Sequence, residues 1–172
     1  MIKLSKRMPG LKKLSKRSEP NRDKLIFEMK QQVKKDPVII KKFKEYDVPL
    51  DKIDDVFVVF APLDVSAKTK DTKIYLNERM LDEDSDVRDP THYLVHELIH
   101  YLQQSTGHHD CNRENKDYLD LETEEEAFKA QVDFKKREES EEEAEDYVEK
   151  LLDHHEVDGK KRDEKKDELL GE

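Results

Sequence analysis

The feature that most constrains this chain is an apolar segment that also carries two histidines and a glutamate. Residues 93–102 read Tyr-Leu-Val-His-Glu-Leu-Ile-His-Tyr-Leu. Drawn as a helix, the segment is apolar around most of its circumference, and such a helix must be buried. Asp89 can cap its start with Pro90 in the first turn, and Gly107 can end it. We therefore predict a buried helix in the middle of the fold.

The polar residues of this helix have the spacing of a metal site. His96 and His100 are four residues apart and share one helical face, so their imidazoles can converge on one ion. Glu97 lies about 100° around the helix, within reach of a water on that ion. Zinc lowers the pKa of a bound water to about 7, and a carboxylate can then accept its proton. We predict His96 and His100 as metal ligands, Glu97 as the catalytic base, and His92 as a partly exposed histidine.

A catalytic zinc needs a third protein ligand and one position left for water. The metzincin pattern would place a glycine and a histidine three and six residues after His100. The sequence has Gln103 and Thr106 there, so that pattern is excluded. The loop after the helix offers His108, His109 and Cys111 as ligands, although they follow the helix end closely.

Glu124 is a further candidate for the third ligand. On a helix predicted over 121–137, it shares a face with apolar residues that include Phe128. Glu122 and Glu126 neighbour charged residues and are predicted to be solvated. A buried carboxylate needs a cation as partner, and zinc would supply one.

The rest of the chain predicts an α+β fold, with short strands and further helices around the buried helix. Periodicity predicts helices at 21–35, from Pro37 to Tyr46 and at 141–154, strands at 56–60 and 74–76, and a polar turn over 66–73. One domain is expected over residues 21–155. Residues 1–20, with seven Lys or Arg and one acid, are predicted to form a flexible basic arm, and residues 156–172 a disordered charged tail.

Composition excludes several classes of protein. The 172 residues are 34% hydrophobic and 44% charged, with a net charge of −10. The single cysteine, Cys111, rules out an internal disulfide framework and any multi-cysteine zinc site. No apolar stretch approaches the roughly 20 residues that span a membrane, and the basic start is a poor secretory signal. We expect a cytoplasmic protein without a membrane or nucleic-acid partner.

The motif His96-Glu97-Leu98-Ile99-His100, followed by Glu124-Glu125-Glu126-Ala127 on an acidic helix, resembles the gluzincin group of metallopeptidases. The resemblance covers about residues 54–137. It implies a minimal zincin fold, in which a small twisted β-sheet packs on the active-site helix and on further helices. It also implies His96, His100 and Glu124 as zinc ligands and Glu97 as the general base. In that fold an edge strand aligns a peptide beside the active-site helix, and the segment Ile74–Leu76 stands where that strand would be.

The sequence departs from the gluzincin pattern at Phe128. Many members have an aspartate there that supports a zinc histidine. The supporting group must then come from elsewhere, with Asp110, Asn112 and Asp120 as open candidates. Members also stabilise the oxyanion with a Tyr, His or Arg, for which Tyr118 and His109 are candidates. These last two groups of residues have no motif of their own.

The resemblance implies zinc-dependent hydrolysis of a peptide or protein substrate. The alternative is a zinc-binding scaffold or interaction protein that keeps the zincin fold without proteolysis, which the small size of the chain favours. The predicted function therefore depends on two expectations, namely Glu124 as the third ligand and peptidase activity.

Overall fold

The computed structural model describes residues 19–82, 84–87, 89–108 and 117–171. Its α-helices are α1 (Glu19–Val33), α2 (Pro37–Glu45), α3 (Lys52–Asp55), α4 (Thr91–Ser105), α5 (Glu122–Glu138), α6 (Glu141–His154) and α7 (Gly159–Leu170). Its strands are β1 (Val58–Ala61), β2 (Ala67–Lys70) and β3 (Lys73–Asn77), and short 3-10 helices span Glu78–Leu81 and Tyr118–Asp120. The predicted α+β class with a small sheet is confirmed. The predicted basic arm lies outside the described residues, except that Glu19 and Pro20 begin α1.

The sheet has the order β1-β3-β2, with β1 parallel and β2 antiparallel to β3. Two expectations are corrected here. The predicted polar turn over 66–73 contains strand β2, which pairs with β3 through a two-residue turn at Asp71 and Thr72. The segment Ile74–Leu76 belongs to the central strand, so β2 is the edge strand on that side of the sheet.

The turn between β2 and β3 is held by helix α4. Asp71 and Thr72 have φ angles of 51° and 60°, which is a left-handed conformation that a β-branched residue rarely adopts. Gln104 of α4 compensates: its Oε1 accepts from the Thr72 amide at 3.0 Å and its Nε2 donates to the Thr69 carbonyl at 3.1 Å. The edge strand is thereby fixed beside α4.

Helix α4 lies at the centre of the larger apolar core. Asp89 Oδ1 accepts from the Thr91 amide at 2.8 Å, as expected of a cap, and Gly107 with a φ of 73° follows the helix end. The side chains of Leu94, Val95, Leu98 and Ile99 are fully buried against the sheet, α1, α2 and one face of α5. The predicted buried helix is confirmed.

A second apolar cluster joins α5, α6 and α7, and it corrects the prediction of a disordered tail over 156–172. Leu169 and Leu170 are 2% and 3% exposed in this cluster. Lys165, also buried, pairs with Glu168 at 2.6 Å and with Asp120 at 3.1 Å. The segment has few apolar residues, but two of them and a set of ion pairs are enough to dock it as α7. No described helix is long and apolar enough to cross a bilayer.

Candidate metal centre

Helices α4 and α5 bring three possible ligand atoms together. His96 Nε2 lies 3.1 Å from His100 Nε2, and Glu124 Oε2 lies 3.4 Å and 3.2 Å from these two atoms. An ion held tetrahedrally at about 2.0–2.1 Å from its ligands separates the ligand atoms by about 3.3 Å. The observed triangle has nearly that size. The three predicted ligands could therefore hold one metal ion.

The electrostatics of the triangle favour a cation. Burial alone would lower the pKa of His100, but the hydrogen bond and charge of Glu124 outweigh it and raise the pKa to about 9. Burial would likewise raise the pKa of Glu124, yet the two histidines hold it well below its usual range. Without a metal, His100 therefore carries the proton that neutralises a buried, ionised carboxylate. A divalent ion can take over that role.

Gln103, one turn after His100, orients the His100 ring. Its Oε1 lies 2.8 Å from His100 Nδ1. Its Nε2 donates to the Thr123 carbonyl at 3.0 Å and to Glu126 Oε2 at 2.9 Å. Because both of these partners are acceptors, the amide nitrogen must face them and the amide oxygen must face the histidine. His100 Nδ1 therefore carries a hydrogen, and Nε2 faces the other two ligand atoms, where it would bind a metal after losing its own proton.

Glu126 anchors Gln103 from behind, which corrects the prediction that Glu126 is solvated. Its Oε1 accepts from Lys42 Nζ at 2.7 Å, and its Oε2 accepts from Tyr46 OH at 2.6 Å. Burial would raise the pKa of Glu126, but these donors and Gln103 together lower it. An ionised carboxylate thus stands behind His100, although it acts through an amide rather than directly. The sequence did not predict Gln103 or Glu126 as the partners of His100.

The other histidine is held differently. The ring of His96 packs edge-on against Phe128, with centroids 4.5 Å apart. Phe128 is the residue that replaces the aspartate of the gluzincin pattern. His96 Nδ1 is buried and has no hydrogen-bond partner within the described part of the chain. On the Nδ1 side of the ring, packing against Phe128 rather than a described carboxylate therefore orients His96.

Glu97 is connected to the edge strand. It is 4% exposed, and its Oε2 accepts a 2.6 Å hydrogen bond from Thr69 Oγ1 of β2. The same hydroxyl lies 3.1 Å from the Glu97 carbonyl oxygen. The bond fixes the Glu97 side chain between β2 and the ligand triangle. No sequence signal pointed to Thr69, because its segment was predicted to be a turn.

The remaining candidates fall into two groups. Asp120 is bound by Lys161 at 3.0 Å and by Lys165 at 3.1 Å, so its carboxylate pairs with α7 rather than with His96 or His100. His108 lies against Tyr46 and hydrogen-bonds Thr106, outside the ligand triangle. The candidates His109, Asp110, Cys111 and Asn112 lie outside the described residues.

His92 is buried, not partly exposed as predicted. Its Nδ1 accepts from Gln131 Nε2 at 2.7 Å, and its ring contacts Tyr93 and Tyr147. Burial, with a contribution from the charge of Lys135, lowers its pKa well below the usual value. His92 is therefore a neutral part of the wall next to the candidate metal centre.

Two cavities meet at the centre. The larger, of about 570 Å³, extends between β2, α4, α5 and α6, and the smaller, of about 460 Å³, lies on the other side of Glu97. Ala67, His96, Glu97 and Tyr118 line both. Tyr118 also stacks on His155, with ring centroids 5.2 Å apart. Tyr118 thus has access to the space beside the ligands, and its role at an oxyanion stays a prediction.

Fold and site together define an α+β domain with a buried His-His-Glu centre beside the edge of a sheet. Comparison of the chain with protein-family models, with curated proteins and with solved structures found no match.

Proposed function

We propose that the protein is a zinc-dependent metallopeptidase of the gluzincin type. His96, His100 and Glu124 bind zinc, and Glu97 is the general base. The triangle of ligand atoms, with Glu97 directly beside it, is the observation that carries this proposal. Two imidazoles and one carboxylate are a donor set typical of catalytic zinc, and they leave one position for water.

Zinc bound at this centre would act as a Lewis acid and would lower the pKa of water to about 7. Glu97 accepts the proton of the attacking water and then gives it to the leaving amine. Thr69 occupies Oε2 of this carboxylate, so Oε1 is the atom that takes the proton. Gln103 keeps the lone pair of His100 directed at the metal position.

The free edge of β2 supports a peptide as substrate. The Ser66 carbonyl accepts from the Asn77 amide at 2.9 Å, so the next hydrogen-bonded position toward β3 is Lys68. Ala67 and Thr69 then direct their backbone groups away from the sheet. The Thr69 carbonyl is taken by Gln104, so among the described residues both backbone groups of Ala67 and the amide of Thr69 stay available to a peptide main chain. A cavity on each side of Glu97 suits an endopeptidase.

The test is a peptide-library digest by purified protein with one equivalent of zinc, with products identified by mass spectrometry. Glu97→Gln should abolish cleavage and retain stoichiometric zinc, because it removes the base but no ligand. His100→Ala should lose both. Glu142→Gln, an exposed substitution on α6, serves as the control and should change neither.

Full activity of Glu97→Gln would refute the assigned mechanism. Stoichiometric zinc bound by the wild-type protein without hydrolysis of any peptide would instead favour the alternative, a zinc-binding scaffold or interaction protein.

A further inference from the structure

We propose that the larger cavity selects a lysine or arginine side chain, and that the protein cleaves on the amino side of that residue. This inference rests on the proposed peptidase function. It starts from the direction of β2, because the direction decides which part of a substrate reaches which cavity.

A peptide that pairs antiparallel with β2 runs from Thr69 toward Ala67. Ala67 lines both cavities, Thr69 and Lys68 line the smaller one, and Ser66 and Val65 line the larger one. The residue that follows the scissile bond therefore places its side chain in the larger cavity, next to His96 and Glu97. The cavity thus acts on the leaving-amine side of the substrate.

The wall close to the centre is aromatic and apolar. It includes Tyr93, Phe128, Tyr147 and Leu151. Such a wall takes up the methylene stem of a long side chain and leaves its polar end at the cavity mouth. Gln131 also lines the cavity, and its buried Oε1 has no hydrogen-bond partner among the described residues. An unsatisfied acceptor favours a ligand that brings donors.

The charges at the cavity mouth are mainly negative. At the aromatic wall itself, Lys135 Nζ lies 5.6 Å from the centre of the Tyr147 ring. Lys135 pairs with Glu139 at 2.6 Å, and both side chains are largely buried, so their charges cancel. At the cavity mouth, Asp86 and Asp146 stand against one cation, Lys150, and Glu143 also lines the cavity but has another interaction of its own. Two carboxylates against one ammonium attract a cation and repel a carboxylate. Lysine and arginine combine the apolar stem with a cationic, donor-only end.

The experiment uses four peptides, matched except for one residue after the scissile bond, which is Lys, Arg, Leu or Glu. Zinc-loaded wild-type protein should have the highest kcat/KM for Lys and Arg and the lowest for Glu. Asp86→Asn and Asp146→Asn should each lower the Lys-to-Leu ratio by about two- to fivefold, because both carboxylates are at an exposed rim. High salt should lower the ratio in the same direction.

Glu145→Gln is the matched control, since Glu145 neighbours Asp146 on α6, is exposed, and does not line the cavity. It should leave the ratio unchanged. A preference for Leu, or a Lys preference that survives both aspartate substitutions, would overturn the inference while leaving the peptidase function intact.

If no peptide is cleaved, the proposed function fails, and the same four peptides are compared by NMR titration of the zinc-loaded protein. Tighter binding of Lys and Arg peptides, with shifts at Tyr93 and Tyr147, would support the cavity assignment. Equal binding of all four would reject it.

Discussion

Replacing Gln103 by leucine should weaken zinc binding by about 10- to 100-fold, the usual effect of losing the outer partner of a metal-bound histidine. The substitution keeps an apolar stem of similar size but removes the acceptor that lies 2.8 Å from His100 Nδ1. It also removes the amide donor from Glu126 and from the Thr123 carbonyl. No ligand atom is changed, so any loss of affinity must act through the orientation of His100.

The expected magnitude follows from these contacts. Loss of one hydrogen bond costs about 1 kcal/mol, and leaving its buried donor without a partner raises the cost to about 1–3 kcal/mol. At about 1.4 kcal/mol for each factor of ten, this range agrees with the fall in affinity given above. Glu126 still accepts from Lys42 and Tyr46, so the loss of its hydrogen bond from Gln103 contributes little to the fall in affinity.

Competition against a chromophoric zinc chelator measures the affinity, and ¹⁵N NMR of zinc-loaded protein follows the His100 Nδ1–H signal. In the wild-type protein this hydrogen should exchange slowly, and in Gln103→Leu it should exchange rapidly. Glu126→Gln should have a smaller effect than Gln103→Leu, since an amide can still accept from Gln103. Glu122→Gln, at an exposed position on the same helix, should have none. Wild-type affinity and slow exchange in Gln103→Leu would refute the role assigned to Gln103.

Four further results are expected. Burial and the opposing effect of Glu124 together set the pKa of His100 at about 9, so zinc must displace a proton from His100 below that pH. The apparent affinity for zinc should therefore rise about tenfold per pH unit from 6.5 to 9. An affinity that does not change with pH in the chelator assay would contradict this. In metal-free protein the raised pKa gives stability that is complete below pH 6.5 and lost as the pH passes 9, so urea unfolding should show a loss of about 3 kcal/mol. Leu169→Ala should lower the free energy of unfolding by about 2–4 kcal/mol, whereas the exposed Lys160→Ala should not, and equal stabilities would mean that α7 is not docked. Thr69→Val should reduce kcat by about tenfold or more, because it frees the Glu97 side chain. Thr69→Ser should restore the rate, and both variants should keep the wild-type affinity for zinc. A kcat of Thr69→Val equal to wild type would exclude Thr69 as a positioning residue.

Local patterns predicted the parts of the fold that local geometry determines. The four-residue spacing of His96 and His100 places both rings on one face of any helix, and the surrounding apolar residues require burial. Glu124 was identified in the same way, from the face that it shares with Phe128. Their convergence needed only that α4 and α5 pack together with these faces inward, and the structure has that arrangement.

The errors have a different origin, because they concern elements stabilised by distant residues. Strand β2 has the polar sequence Ala-Lys-Thr-Lys and a turn without glycine, so nothing local predicts it. Its conformation depends on Gln104, which is 32 residues away from Thr72. Helix α7 depends on carboxylates of earlier segments, such as Asp120. A pattern based on apolar periodicity cannot detect either kind of contact.

Gln103 and Phe128 contact different histidines of the ligand triangle. The glycine of the metzincin pattern would leave position 103 without a side chain, and the aspartate of the gluzincin pattern would place a carboxylate at position 128. Here Gln103 supplies an acceptor to His100 from within the same helix, while the carboxylate behind it comes from Glu126, two residues after the ligand Glu124. Position 128 carries an aromatic ring that packs on His96, whose Nδ1 has no hydrogen-bond partner among the described residues. Gln103 therefore orients one histidine by a hydrogen bond, and Phe128 orients the other by packing. Replacing Gln103 should weaken metal binding more than replacing Phe128 by another aromatic residue, because only the first change removes a hydrogen bond.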